Sequence, residues 1–250
     1  MRLFVQLSYN GSSFCGWQSQ ANAPSVQAEL EHALSIAFGE TVSVVGAGRT
    51  DAGVNAIHYI AHFDIAGVPC EASARLLHKI NAILPRDIVA EAFYRVAENA
   101  HARFDAVSRT YRYHIHTAKD PFARFSCFCR FPLDVEAMNR AAALILGRRD
   151  FSSFEKTGGA NKTSVCTVSE AHWEAVGETR LTFTITADRF LRNMVRATVG
   201  TLLEVGRGRR EPEWVSAVLA ARNRGEAGQS VIGEALFLTQ IRYPYPLITI

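Results

Sequence analysis

The sequence predicts an α+β fold built from two β-α-β-β-α-β halves, and three observations carry that expectation. Runs that alternate with a period of two are interleaved with stretches whose apolar residues recur every three or four positions. The order strand, helix, strand, strand, helix, strand occurs twice along the chain. No Gly-, Ser- or Pro-rich tether lies near residue 100. The halves, 1–100 and 101–250, are therefore expected to form a continuous, mainly antiparallel sheet with helices on one face and a cleft between the halves, the ferredoxin-like arrangement in duplicate.

The elements follow in order. Arg2 to Tyr9 alternates, with Leu3, Val5, Leu7 and Tyr9 on one face, and reads as a half-buried strand. Asn10-Gly11-Ser12-Ser13 is turn chemistry, and Pro24-Ser25 opens a helix with Val26, Leu30, Ala33, Leu34 and Ala37 on one stripe, ended by Gly39. Thr41 to Ala47 and Ile57 to Ile65 read as strands, Glu71 to Leu84 as a helix stopped by Pro85, and Ile88 to Arg95 as the closing strand. In the second half Ser108 to Thr117 is a strand, and Asp134 to Leu146 a helix with Asp134 at its N-cap and Gly147 at its end. Val165 to Glu174 and Arg180 to Ala187 are strands. An Arg-rich helix from about Phe190 to Val205, a shorter extra helix opening at Pro212 and a last strand from Leu236 to Arg242 complete the chain.

Composition narrows the function. At 250 residues and 48% hydrophobic, the chain can bury one or two full cores. It has no run of about eighteen apolar residues and no signal peptide at Met1-Arg2, which points to a cytoplasmic protein away from any membrane. The five cysteines (Cys15, Cys70, Cys127, Cys129, Cys166) include no Cys-x-x-Cys pair, so they read as reduced thiols, not a disulfide framework or zinc ribbon. A net charge of +3 is too small to argue for nucleic acid by itself, so any basic footprint must be local.

The chain is organised around Val44 to Ala56. There a β-type run breaks into Gly46, Gly48 and Gly53 around a lone carboxylate, Asp51. Glycines permit close approach of a backbone or ligand. Arg49 and Asp51 flank Thr50, so in extended geometry both side chains point the same way and the cation favours an ionised acid. An ionised, positioned aspartate can act as a nucleophile. Taken alone, the window favours a plain Asx-turn beside Gly53; the rest of the chain must decide.

A local basic footprint exists. Between Asp188 and Arg210 lie Arg189, Arg192, Arg196, Arg207, Arg209 and Arg210 against Asp188 and Glu204 only. The first three are spaced three and four apart, which on a helix puts them on one face opposite Leu191, Met194, Val195, Val199 and Leu202. Guanidinium forks suit phosphate, whereas the bland alternative is a solvated helix face. Arg103, Arg109 and Arg112 form a second cluster, and Tyr111 shares a strand face with Arg109 and Tyr113, as a base-stacking platform or a packed sheet residue. His114 and His116 lack a third nearby ligand and read as ordinary strand residues. Zinc-deaminase, P-loop, dinucleotide and nucleophile-elbow signatures are all missing. What survives is a cofactor-free, metal-free reaction led by one carboxylate in a basic cleft.

These residues carry a resemblance. Gly48-Arg49-Thr50-Asp51-Ala52-Gly53-Val54, Arg109-Thr110-Tyr111-Arg112-Tyr113, Phe190 to Arg196 and Val199 to Gly206 resemble the tRNA pseudouridine synthase A family. Tyr9 to Ser12, Gly16-Trp17-Gln18, His101 to Phe104 and Asp150 to Phe154 are lesser echoes. The chain departs at Asn55, where the family commonly has His, at Ala197, where Asn is usual, and at Ile232 to Ala235, where Pro-Ala-x-Gly is usual.

The resemblance implies an isomerase that converts uridine to pseudouridine at positions 38, 39 and 40 in the tRNA anticodon stem-loop, without cofactor, as a homodimer whose two clefts share the tRNA. It implies Asp51 as nucleophile and Arg196 as the cation paired with it, the two catalytic positions. Tyr111 would stack on the target uracil, with Arg49, Arg192 and Leu236 as further substrate-binding positions. The residues leave three routes open: attack of Asp51 at C1′, attack at C6, or a glycal route. The rival readings are a non-catalytic RNA-binding module and a hydrolase using Asp51 on phosphate or glycosidic bonds.

Overall fold

The structure, a computed structural model, describes residues 1–67, 73–158 and 163–250. In chain order its elements are β1 (Arg2–Tyr9), α1 (Val26–Phe38), β2 (Val44–Gly46), β3 (Asn55–Asp64), α2 (Ser73–Ile83), β4 (Ile88–Arg95), β5 (Ser108–His116), β6 (Cys127–Phe128), α3 (Val135–Ala143) and β7 (Gly147–Asp150). They continue with β8 (Val165–Ala175), β9 (Arg180–Ala187), α4 (Met194–Gly206), α5 (Trp214–Ala221), β10 (Leu236–Arg242) and β11 (Ile248–Thr249). The class is α+β, with mostly antiparallel strand pairs and a parallel pairing of β5 with β6. No described helix is long and apolar enough to cross a membrane. Two compact units form, Met1–Val107 with Leu238–Ile250, and Ser108–Phe237.

In the first unit the sheet runs β4-β1-β3 with β2 paired to β3 and β11 to β4. This is the strand order a β-α-β-β-α-β chain takes when its first and third strands lie in the middle. Ser25 caps α1, its Oγ accepting from the Ala28 N–H at 3.2 Å, and Gly39 ends it at φ 73°. α1 buries Val26, Leu30, Ala33 and Leu34 and packs beside α2. Phe63 lies 5.7 Å from Phe38 and 6.0 Å from Phe93, tying helix to sheet. β1 is less one-sided than its alternation suggests, because Phe4 on the other face is fully buried 5.3 Å from Tyr243.

β2 is shorter than the Thr41 to Ala47 expectation. The backbone there is claimed by α1 instead: Ser35 Oγ accepts from Val42 N–H and Glu31 Oε1 from Val44 N–H, both at 2.9 Å. The helix expected from Glu71 is described from Ser73; residues 71 and 72, like Cys70, lie outside the described residues.

His62 on β3 is 4% exposed, accepts the Ala102 N–H at Nδ1 and meets the His101 ring at 4.6 Å. Burial first, then the Arg2 guanidinium and His101, lowers its pKa to about 4. Between that value and its ordinary 6.5 the unfolded chain binds the proton and the folded chain does not, so stability falls as pH drops through this window. The loss is at most about 3 kcal/mol at 1.36 kcal/mol per pH unit. Urea denaturation at pH 7, 5.5 and 4.5 is expected to show that loss, with a flatter slope in His62→Gln.

In the second unit β5, β9, β8 and β7 follow one another across the sheet, and α3 packs beside α4. The Trp173 and Phe183 rings meet at 4.9 Å, tilted by 34°, in its core. Asp134 caps α3 as expected, but α3 ends at Ala143 and not Leu146. Leu144, Ile145 and Leu146 instead donate to the carbonyls three residues back, a tightened last turn. Gly147, at φ 85°, starts β7, a strand too charged to show a period of two. The four described cysteines are free thiols, and burial pushes Cys166 up to about 12.

Candidate active site

The Asp51 loop is held from behind by residues 9 to 17. Val54 N–H donates to Asp51 C=O at 3.2 Å and Gly53 sits at φ 78°, so Asp51 opens a tight turn whose third position needs glycine. Tyr9 Oη and Thr50 Oγ1 are hydrogen-bonded at 2.9 Å, Trp17 N–H donates to Thr50 C=O at 3.2 Å, and Gly11 N–H donates to Asn55 Oδ1 at 2.9 Å. Thr50 and Asn55 are buried on either side of the half-buried Asp51. The acid therefore stands on a turn anchored at both ends, the pre-organisation a nucleophile requires.

The glycines divide by purpose. A Cβ on Gly46 would meet Tyr59 Oη at 2.1 Å and the Trp17 ring at 2.6 Å. Trp17 and Tyr59 stack at 4.1 Å beneath the loop, and Tyr59 Oη donates to Gly48 C=O. A Cβ on Gly48 would instead have nothing within 4 Å, so there the loop leaves open space. Arg49 Nε donates to Gln18 Oε1 at 3.1 Å. Tyr59 is a supporting residue that sequence reasoning missed, and Trp17 and Asn55, which it noted only as motif positions, prove to be supports as well. A Cβ on Gly11 would lie 2.1 Å from Val54 C=O, so Gly11→Ala is expected to cost about 1–3 kcal/mol of stability, measured by urea denaturation.

In the second unit, β5 carries Arg109 and Tyr111 opposite Ala187 and Ile185 of β9. Arg109 donates to Asp188 C=O at 2.7 Å. Tyr111 is 9% exposed, with the half-exposed Phe190 edge-on at 5.1 Å. The Arg-rich helix differs from expectation. α4 begins at Met194 because Asn193 takes a left-handed conformation, φ 65°, so Arg189 and Arg192 precede the helix and share no helical face with Arg196.

Nor does α4 present an open face. All its residues but Arg196 and Glu204 are buried, because 228–231 runs against it: a Cβ on Gly200 would lie 1.8 Å from Gln229 C=O. The same segment fixes Arg196, whose Nε donates to Val231 C=O at 2.7 Å while Val231 N–H donates to Arg196 C=O at 3.2 Å. Arg192 is exposed. Leu236 is buried at 4% just after the Gly233 turn.

Comparison with known proteins decides the family. A family profile described as tRNA pseudouridine synthase matches residues 141–244. A tRNA pseudouridine synthase A of Parabacteroides distasonis is 48% identical over 251 residues, spanning 100% of this chain and 98% of the relative. That of Porphyromonas gingivalis is 47% identical, covering 98% of each chain, and one from Francisella tularensis is 37% identical over 96% of this chain and 93% of the relative.

The chain belongs to the tRNA pseudouridine synthase A family.

Two departures of this tRNA pseudouridine synthase A family member now have a structural account. Asn55 accepts the Gly11 N–H and so ties β3 to the turn after β1. Ile232 to Ala235 follow directly on the Val231 clamp, and Ala235 C=O accepts from His114 N–H at 3.0 Å. Ala197 is fully buried; nothing in the structure explains the exchange there. His114 and His116 bond Thr182 Oγ1 at 3.1 Å and Ser126 Oγ at 3.0 Å, as strand residues do. Among the described residues no cluster of three His, Cys, Asp or Glu side chains is arranged to hold a metal ion.

Proposed function

We propose that this chain isomerises uridine to pseudouridine in tRNA, within the anticodon stem-loop at positions 38 to 40, with Asp51 as the nucleophile. The observation that carries the reading is 37–48% identity to tRNA pseudouridine synthases A over nearly the whole chain, with Asp51 standing on a doubly anchored turn. The C1′–N1 bond breaks, C1′ joins C5 of the same base, the C5 proton leaves to solvent and N1 gains one. Nothing is oxidised and no group departs, so the chemistry asks for a carboxylate and a held base.

Arg196 supplies the cation that balances Asp51, its orientation set by the Val231 carbonyl. Tyr111 stacks on the everted uracil, with Phe190 beside it edge-on at 5.1 Å. Arg49 and the exposed Arg192 contact the RNA, and Leu236 contributes apolar packing near the base. Eversion costs a few kcal/mol, offset by phosphate contacts and stacking. The protein acts in the cytoplasm as a homodimer. tRNA tritiated at uracil C5 is expected to release label to water when incubated with the protein; binding without release would leave an RNA-binding module, and shortened RNA or freed base a hydrolase.

A further inference from the structure

A surface pocket of about 200 Å³ opens beside the Asp51 loop, lined by Trp17, Gln18, Gly48, Arg49 and Arg103 together with β2 residues. It is smaller than the ~300–1,000 Å³ typical of small-molecule sites. Its wall carries two guanidiniums and no carboxylate, a composition complementary to a phosphodiester. Arg49 is aimed by its Nε bond to Gln18 Oε1, which leaves its terminal nitrogens as donors.

Arg103 is presented by a turn fixed on every side. His101 Nδ1 accepts the N–H groups of Arg103 at 3.1 Å and Phe104 at 3.2 Å. Ala102 donates to buried His62 and accepts from Tyr243 Oη at 2.7 Å. Asp105 Oδ2 accepts from His101 N–H at 2.8 Å and Tyr245 Oη at 2.7 Å. A turn held this firmly nevertheless leaves Phe104 75% exposed, its ring against His101 at 4.2 Å. Rigid backbone supporting an outward arginine and an outward aromatic ring is the arrangement that grips a nucleic-acid strand.

We propose that Arg103 and Arg49 together hold a phosphodiester of the substrate RNA strand beside the target uridine, with Phe104 stacking on a neighbouring base. This deepens the tRNA reading and rests on it. The test measures tRNA affinity across a salt series for wild type, Arg103→Ala, Arg103→Lys, Phe104→Ala and, as a charge control on β7, Arg148→Ala.

Arg103→Ala is expected to raise Kd about tenfold and to lower the slope of log K against log salt by about one. Arg103→Lys should recover the slope but not the whole affinity. Phe104→Ala should weaken binding with the slope unchanged, and the loss in turnover should fall on KM more than on kcat. An Arg103→Ala protein no weaker than Arg148→Ala, or one altered in oligomeric mass but not in RNA affinity, would overturn the proposal. Because binding is read separately, a wild-type protein that binds tRNA but releases no tritium would sink the catalytic reading and not this one.

Discussion

Asp51→Asn is expected to lower tritium release from C5-labelled tRNA by at least ~10³-fold, the scale on which removal of an essential nucleophile is felt, while tRNA affinity changes less than about threefold. The substitution keeps the side chain's shape and removes its charge. The turn beneath should survive, since the bonds that hold it come from Val54 N–H, Tyr9, Trp17 and the Gly11–Asn55 pair. A variant that binds, folds and does not react assigns the loss to chemistry. Release at more than a tenth of the wild-type rate would remove Asp51 from the mechanism.

Arg196→Ala is expected to reduce kcat by about 10²- to 10³-fold, the magnitude seen when a preorganised electrostatic partner is deleted. KM should move by much less, because the role proposed for the residue is to balance the charge of Asp51 and not to hold the RNA. The Nε bond to Val231 C=O gives the variant a structural component as well. Arg196→Lys separates the two, restoring charge without the Nε donor, and should recover part of kcat. A fall confined to KM, or to thermal stability with kcat unchanged, would make Arg196 a binding or packing residue.

Much of the fold was legible because it follows from local pattern. β1, β4, β9 and β10 have the bounds their alternation indicates, and Ser25, Gly39 and Asp134 cap helices as their chemistry dictates. What was not legible depends on distant residues. β2 is truncated by Glu31 and Ser35 reaching back from α1. β6 and β11 are two-residue strands too short to show a period, defined only by their pairing with β5 and with the distant β4. The apparent arginine stripe fails because Asn193 reverses the backbone and because 228–231 covers α4, an approach that only Gly200 and Gly228 permit.

The site shows the same division. Asp51 and its glycines stood out as a motif, but the motif gave no sign of the Gln18 bond that holds Arg49, since Gln18 lies thirty-one residues earlier. Trp17 and Tyr59 gave no periodic signal of their own, since one lies in a loop and the other on a strand whose both faces are largely buried. Arg103 and Phe104 stood in a short turn whose rigidity comes from His62, Tyr243 and Tyr245.

The most direct measurement is nucleoside analysis of tRNA variants with one uridine each in the anticodon stem-loop, after incubation with wild-type protein or Asp51→Asn. The expected result is one pseudouridine gained per uridine lost with wild type, no free uracil, an unbroken strand, and no conversion with Asp51→Asn. Uridine left intact by a wild-type protein that binds the RNA, or equal conversion by both proteins, would contradict the account.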